Sequence, residues 1–186
     1  MVPITALWLP VLLSAVFVFI VSSLIHMVLR YHANDYRKLQ DEDGVMDALR
    51  KFNIPAGQYH MPHPSSPKEM KSPEFKEKMK KGPSAILTFW PRGDVSMGGF
   101  LAQWFIYTVV VGIFAAYVAG RALPEGARYL AVFRFAGVTA FACYAIAGWQ
   151  ESIWYQRSWT MTLKNTFDGL LFALITAGTF GWLWPR

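Results

Sequence analysis

The apolar positions fall into four long runs, with one polar stretch between the first and the second. The runs cover residues 4–29, 100–120, 129–149 and 167–184. Each is long enough to cross about 30 Å of hydrocarbon at about 1.5 Å per residue, so the pattern predicts four transmembrane helices. The first run holds no Asp, Glu, Lys or Arg, and Pro10 either kinks it or marks its true start. It is far longer than the apolar region of a signal peptide and no A-x-A cleavage pattern ends it, so it reads as a retained span. Arg121 to Arg128 is a short link with Pro124 and Gly126 as turn residues, which makes the second and third runs an antiparallel hairpin.

Residues 30–99 are patterned differently. Asp41-Glu42-Asp43 precedes Val45, Met46, Leu49 and Phe52, and Arg50 and Lys51 close the segment. Acidic residues in the first turn and basic ones in the last match a helix dipole, so this reads as a short amphipathic helix. A second helix starts at the N-cap Ser72 with Pro73 in first position and stops at Gly82-Pro83. Residues 58–62 and 85–90 are extended candidates bounded by Gly or Pro. Paired, they make the segment a small αβαβ unit whose two-stranded sheet needs support from its helices or from the bilayer surface. The Pro91-Arg92-Gly93-Asp94 string reads as an ordinary turn leading into the second span.

Charge adds direction. Only 16% of the 186 residues are charged, against about 25% in a soluble domain. Residues 30–98 carry twelve Lys and Arg, and the 150–166 link adds Arg157 and Lys164, while the other side has Arg121, Arg128 and Arg186. The positive-inside rule then puts the large loop in the cytoplasm and both termini outside, or periplasmic in a bacterium. The net charge of +6 sits beside apolar spans, where it serves orientation and contact with anionic headgroups, not nucleic acid. Arg134, alone in the third span, is placed to snorkel. Cys143 is the only cysteine, so an intrachain disulfide and a Cys-based zinc site are excluded.

Small residues recur every four positions in two spans: Gly112, Ala116 and Gly120 in the second, and Gly169, Ala173, Ala177 and Gly181 in the fourth. Such ridges let helix backbones approach closely, either within one bundle or at an oligomer or partner interface.

Candidate chemistry rests on the four histidines. His26, His32, His60 and His63 all face the cytoplasmic side in this topology, and Asp35 follows His32 by one helical turn. Imidazole with carboxylate is a transition-metal donor set, and histidines also hold haem. Against a simple helical site, His26 and His32 are six residues apart, about 120° around a regular helix. The inner ends of the helices also collect polar groups: Ser22 and His26 on the first, Gln103 on the second, Gln150 and Glu151 on the third, and Asp168 on the fourth. A proton, ion or headgroup site is one use of that cluster, and interfacial polarity is the other. No phosphate loop, nucleophile elbow, Cys/His pair or dinucleotide fingerprint is present.

The run from Ser23 to Tyr36, which contains His26, His32 and Asp35, resembles a group of short bacterial inner-membrane proteins. So do Ala56-Gly57-Gln58-Tyr59 and the ending from Thr176 to Arg186. The resemblance implies the bacterial inner membrane and no particular activity. The leading functional expectation is a structural or accessory membrane subunit that self-associates or joins a larger membrane complex. The alternatives are a metal- or haem-binding membrane protein using His26, His32, Asp35, His60 or His63, and a small ion or ligand conduit.

Overall fold

A computed structural model describes residues 1–186. In chain order the elements are α1 (Trp8–Leu24), α2 (Glu42–Arg50), β1 (Gly57–Met61), α3 (Pro67–Met70), α4 (Pro73–Lys81), β2 (Ala85–Phe89), α5 (Met97–Ala122), α6 (Tyr129–Tyr144), α7 (Trp149–Tyr155) and α8 (Trp159–Trp182). A 3-10 turn, Ile4–Leu7, leads into α1, and a π-helical turn, Ile25–Leu29, extends it. The chain divides into a helical unit, Met1–Tyr36 with Ser96–Arg186, and a second unit, Arg37–Val95.

In the helical unit, three stretches are long and apolar enough to cross a membrane: Ile4–Leu29, Met97–Ala122 and Tyr129–Tyr155. The fourth long helix, α8, has 24 residues but lies outside that set. Its first half carries Lys164, Asn165 and Asp168. It begins at Trp159, eight residues before the apolar run that marks it in the sequence, because those polar residues belong to a packed helix face. The interval 150–166, expected to be a link, is therefore mostly helical, and only residues 156–158 separate α7 from α8. Gln156 makes that reversal in a left-handed conformation (φ 57°).

The helices form a closed circuit in which α1 packs on α5 and α8, and α6 packs on α5 and α8. Small residues set the spacing. A Cβ at Gly112 would lie 3.2 Å from Val11, and one at Gly120 would lie 2.6 Å from the Val2 carbonyl. On the other side of the bundle, a Cβ at Gly169 would meet Ala145 at 2.9 Å, one at Gly137 would meet Ala177 at 3.0 Å, and one at Gly181 would meet the Tyr129 ring. Ala116, Ala173 and Ala177 are buried among these contacts. Both ridges are thus occupied within one chain, the intramolecular of the two uses expected of them.

One end of the bundle is sealed. Val2 N–H donates to Gly120 O at 2.8 Å, Gly126 N–H to Pro185 O at 2.9 Å, and Trp184 Nε1–H to Pro124 O at 3.0 Å. Leu7, Ala115, Ala119, Val132, Ala136 and Phe180 fill the space beneath. Buried hydroxyls along the bundle (Ser14, Thr108, Thr176, Thr179) donate to carbonyls three or four residues earlier, so polar side chains lie inside without orphaned groups.

The second unit pairs β1 and β2 antiparallel, from Gly57 opposite Phe89 to Met61 opposite Ala85. The two-stranded sheet expected from the sequence is therefore present. Ser66 and Ser72 each cap a helix with Pro in first position, accepting from Glu69 N–H and Phe75 N–H. The same Ser-Pro punctuation marks α3, a helix not among those expected from the sequence. Phe75 is the only buried hydrophobic side chain of this unit.

The close approach at Gly120 has a measurable consequence. Gly120→Ala pushes a methyl against backbone, so the chain in detergent is expected to lose about 1–3 kcal/mol, as overpacked cores do. Gly148 has nothing within 4 Å of a built Cβ and helical dihedrals, so Gly148→Ala should leave the midpoint unchanged or raise it slightly. Thermal or denaturant unfolding of both variants checks the contrast, and equal effects would contradict the packing described.

Candidate functional site

The opposite end of the bundle holds most of its buried charge. The geometry begins where α1 stops being regular. The π-helical turn Ile25–Leu29 adds a residue to the turn, and Arg30 then takes a left-handed conformation (φ 51°). The chain reverses through Ala33 N–H to Arg30 O and Asp35 N–H to His32 O, both at 3.0 Å. In a regular helix His26 and His32 would diverge. Here their rings stack face to face, with centroids 4.8 Å apart and planes 3° from parallel.

Each ring has one nitrogen fixed from outside the pair. His26 Nδ1 donates to Ser22 O at 2.9 Å, which leaves Nε2 as the ring atom open to a ligand. Ser22 is held in turn: its hydroxyl donates to Phe19 O at 2.9 Å and accepts from Trp104 Nε1–H, also at 2.9 Å. His32 lies between two carboxylates, with Nδ1 2.6 Å from Asp35 Oδ2 and Nε2 2.8 Å from Asp168 Oδ2. A ring nitrogen of His26, a ring nitrogen of His32 and an oxygen of Asp168 lie within 4.8 Å of one another.

Asp168 and Lys164 come from α8. Four residues apart, they occupy one helix face and both reach the 31–35 turn. Asp168 is buried and also accepts from the Tyr31 hydroxyl. Lys164 Nζ donates to Tyr31 O at 2.7 Å and to Asp35 Oδ1 at 2.6 Å. Burial alone raises the Asp35 carboxyl. Hydrogen bonds from Lys164 and His32, together with their charges, outweigh it and hold the group below the ordinary carboxylate range.

The cluster borders a cavity of about 790 Å³. Its walls are mainly aromatic and aliphatic, including Phe100, Leu101, Trp104, Tyr107, Tyr144 and Phe172. His26, Asp168, Ser22, Ser23 and Asn165 form its polar edge.

Of the residues singled out by sequence, His26, His32 and Asp35 come together here, as do Ser22 and Asp168 from the expected inner-face cluster. Gln103, Gln150 and Glu151 do not join them: their side chains are exposed. His60 and His63 lie in the second unit, where His60 Nδ1 donates to Pro62 O at 2.8 Å. Tyr31, Trp104 and Lys164 were missed. Lys164 had been counted only as an orienting charge, although its i,i+4 spacing to Asp168, the one other charged residue of the helix, was the available signal. No protein-family model, curated protein or solved structure matches this chain.

The Lys164–Asp35 contact is largely shielded, with side chains 27% and 8% exposed. Lys164→Met leaves the Asp35 carboxylate without its cation and should destabilise the chain by roughly 1.5–3 kcal/mol. The exposed Lys38–Glu42 pair provides the contrast at 3.9 Å, and Lys38→Met should change stability by under about 0.5 kcal/mol. Unfolding midpoints of the two variants decide this, and a neutral Lys164→Met would remove the pair from the account.

Proposed function

We propose that this chain is an integral membrane protein that binds a divalent transition-metal ion on His26, His32 and Asp168. The observation that carries the reading is the convergence of three donor atoms within 4.8 Å, on rings whose remaining nitrogens are already fixed. Metal-binding histidines normally donate their second N–H to a carbonyl or carboxylate, which sets tautomer and orientation. Ser22 O plays that part for His26 and Asp35 for His32. An ion on His32 Nε2 takes the place of the proton shared with Asp168 and leaves the Asp35 bond intact. Lys164 offsets the Asp35 charge, and Tyr31 steadies Asp168. Two imidazoles and a carboxylate suit zinc, iron, nickel or manganese better than calcium or magnesium. Haem held between two histidines fits poorly with rings stacked face to face, and a single ion shared by both needs one ring to turn out of that stack on binding. Three protein ligands also leave coordination positions open, as in sites that act on a bound molecule.

The same reading has α8 as the fourth span. Its polar side chains face inward, where Asp168, Thr162, Thr176 and Thr179 are buried, so its modest hydropathy does not describe the surface it would offer to lipid. Four spans put both termini on the outer side and the 37–95 unit in the cytoplasm, with the metal site near the inner face. The resemblance noted above supports a bacterial inner membrane. An accessory, self-associating role is less favoured, because the small-residue ridges are already occupied within the chain. A through-conduit is less favoured because Phe180 and Trp184 fill the sealed end.

Two experiments test these proposals. Metal analysis of the purified full chain should find about one transition-metal ion per chain after incubation and removal of excess. His26→Ala, His32→Ala and Asp168→Asn should abolish binding, and Asp35→Asn should weaken it roughly 10–100-fold as an outer-shell partner. His60→Ala and His63→Ala should have no effect. Absence of stoichiometric metal in the unaltered chain would overturn the reading. For topology, single cysteines introduced into a Cys143→Ser background should label from the outer side at residue 125 and at the C-terminus. Those at residues 60 and 157 should label only after permeabilisation. A C-terminus that labels with residue 60 means an odd number of crossings.

A further inference from the structure

We infer that the cavity beside the cluster binds a membrane quinone in its reduced, quinol form, with the flat ring between the aromatic walls and its hydroxyls at the His26–Asn165 edge. The inference rests on the same cluster as the metal proposal and on the membrane setting, but it does not require the ion.

The chemistry of the walls selects the ligand. At about 790 Å³ the cavity is within the roughly 300–1,000 Å³ range of small-molecule sites. No Lys or Arg lines it, and Asp168 does. Lys164 is committed to Asp35 and the Tyr31 carbonyl. An anionic headgroup would therefore meet a carboxylate with no cation to balance it, which disfavours anionic phospholipids and fatty acids. What fits is a neutral head with a large apolar body.

Aromatic residues make that head flat. Trp104, Tyr107, Tyr144 and Phe172 pack on one another with centroids 5.5–6.4 Å apart. Rings braced in this way offer faces and edges to another ring without losing rotamer freedom on binding. Their polar atoms are largely spent: Trp104 Nε1 on Ser22 Oγ, and Tyr107 O–H on Cys143 O at 2.7 Å. Hydrogen bonding to a ligand therefore concentrates at the edge, where His26 Nε2 accepts from a ligand hydroxyl and the Asn165 amide donates, while both Asp168 oxygens are held by Tyr31 and His32. A ring with oxygens on its rim and an apolar tail satisfies both parts. An acylglycerol satisfies only the second.

The test uses the full chain in nanodiscs under anaerobic conditions, with decylubiquinol as probe and empty nanodiscs to subtract partition into lipid. Saturable binding of about one quinol per chain is expected in the metal-free chain, with EDTA present. Ser23→Phe and Leu101→Trp fill the cavity from two different helices, and each should weaken binding by roughly tenfold or more. His26→Ala should weaken it as well, whereas Gly148→Ala should not. Thermal unfolding confirms that each variant is folded, and the two cavity variants guard against the failure of either. Monoolein and dodecyl phosphate, as neutral and anionic amphiphiles without a ring, should compete poorly. No saturable binding, binding unaffected by both cavity variants, or equal competition by monoolein would overturn the inference. Quinol binding in a chain that holds no metal leaves this inference standing and removes the metal reading. Metal binding without quinol binding does the reverse.

Discussion

Asp168 presents the hardest problem in this structure, and the surrounding geometry can be traced to its solution. A carboxylate buried on a bundle helix is expensive unless every oxygen has a partner. The partners are His32 Nε2 and the Tyr31 hydroxyl, both on the segment that follows α1. That segment could not reach α8 if α1 ran on as a regular helix. The π-helical turn and the left-handed Arg30 bend the chain back over the bundle. Lys164, one turn before Asp168, then fixes the returning segment at a second point through Asp35 and the Tyr31 carbonyl. One buried charge thus accounts for an irregular helix end, a turn and a second ion pair.

The two ends of the bundle follow opposite rules. At the sealed end the contacts are backbone hydrogen bonds and small-residue packing, with glycines where a methyl would strike backbone. Close packing there leaves no room for a ligand, and a single added carbon is felt. At the other end the helices are held by polar side chains, and bulky aromatics line a cavity instead of filling it. Rigidity at one end and an open polar edge at the other is how a small bundle can keep its shape while a site stays accessible.

What the sequence revealed follows from which interactions are periodic. The apolar runs, the small-residue ridges and the Ser-Pro caps depend on local spacing, so the long helices, the contacts of Gly112, Gly120, Gly169 and Gly181, and the start of α4 were legible. His26 and His32 were picked out by residue type, but helical spacing argued that they diverge. A π-helical turn has no reliable sequence signature, so their stacking was not visible. Gln103 and Glu151 were grouped with Asp168 by depth alone. Depth does not set rotation about the helix axis, and both side chains point outward. Lys164 was read as a topological charge because its partner, Asp35, is 129 residues away.

The cluster also shows why a stability role does not exhaust these residues. If satisfying Asp168 were all that was needed, one donor would serve, or a Leu in its place would avoid the difficulty. Instead two carboxylates, two imidazoles, a phenol and a lysine are gathered in one place, and the His26 ring is exposed at its edge. His26 contributes nothing to holding Asp35 or Lys164. Its Nδ1 is fixed by Ser22, which is itself fixed by Trp104, so the ring is oriented from the cavity wall. A side chain held in this way, lining the cavity within 4.8 Å of His32 and Asp168 donor atoms, is poorly explained by packing. It is well explained by a ligand atom that belongs between them.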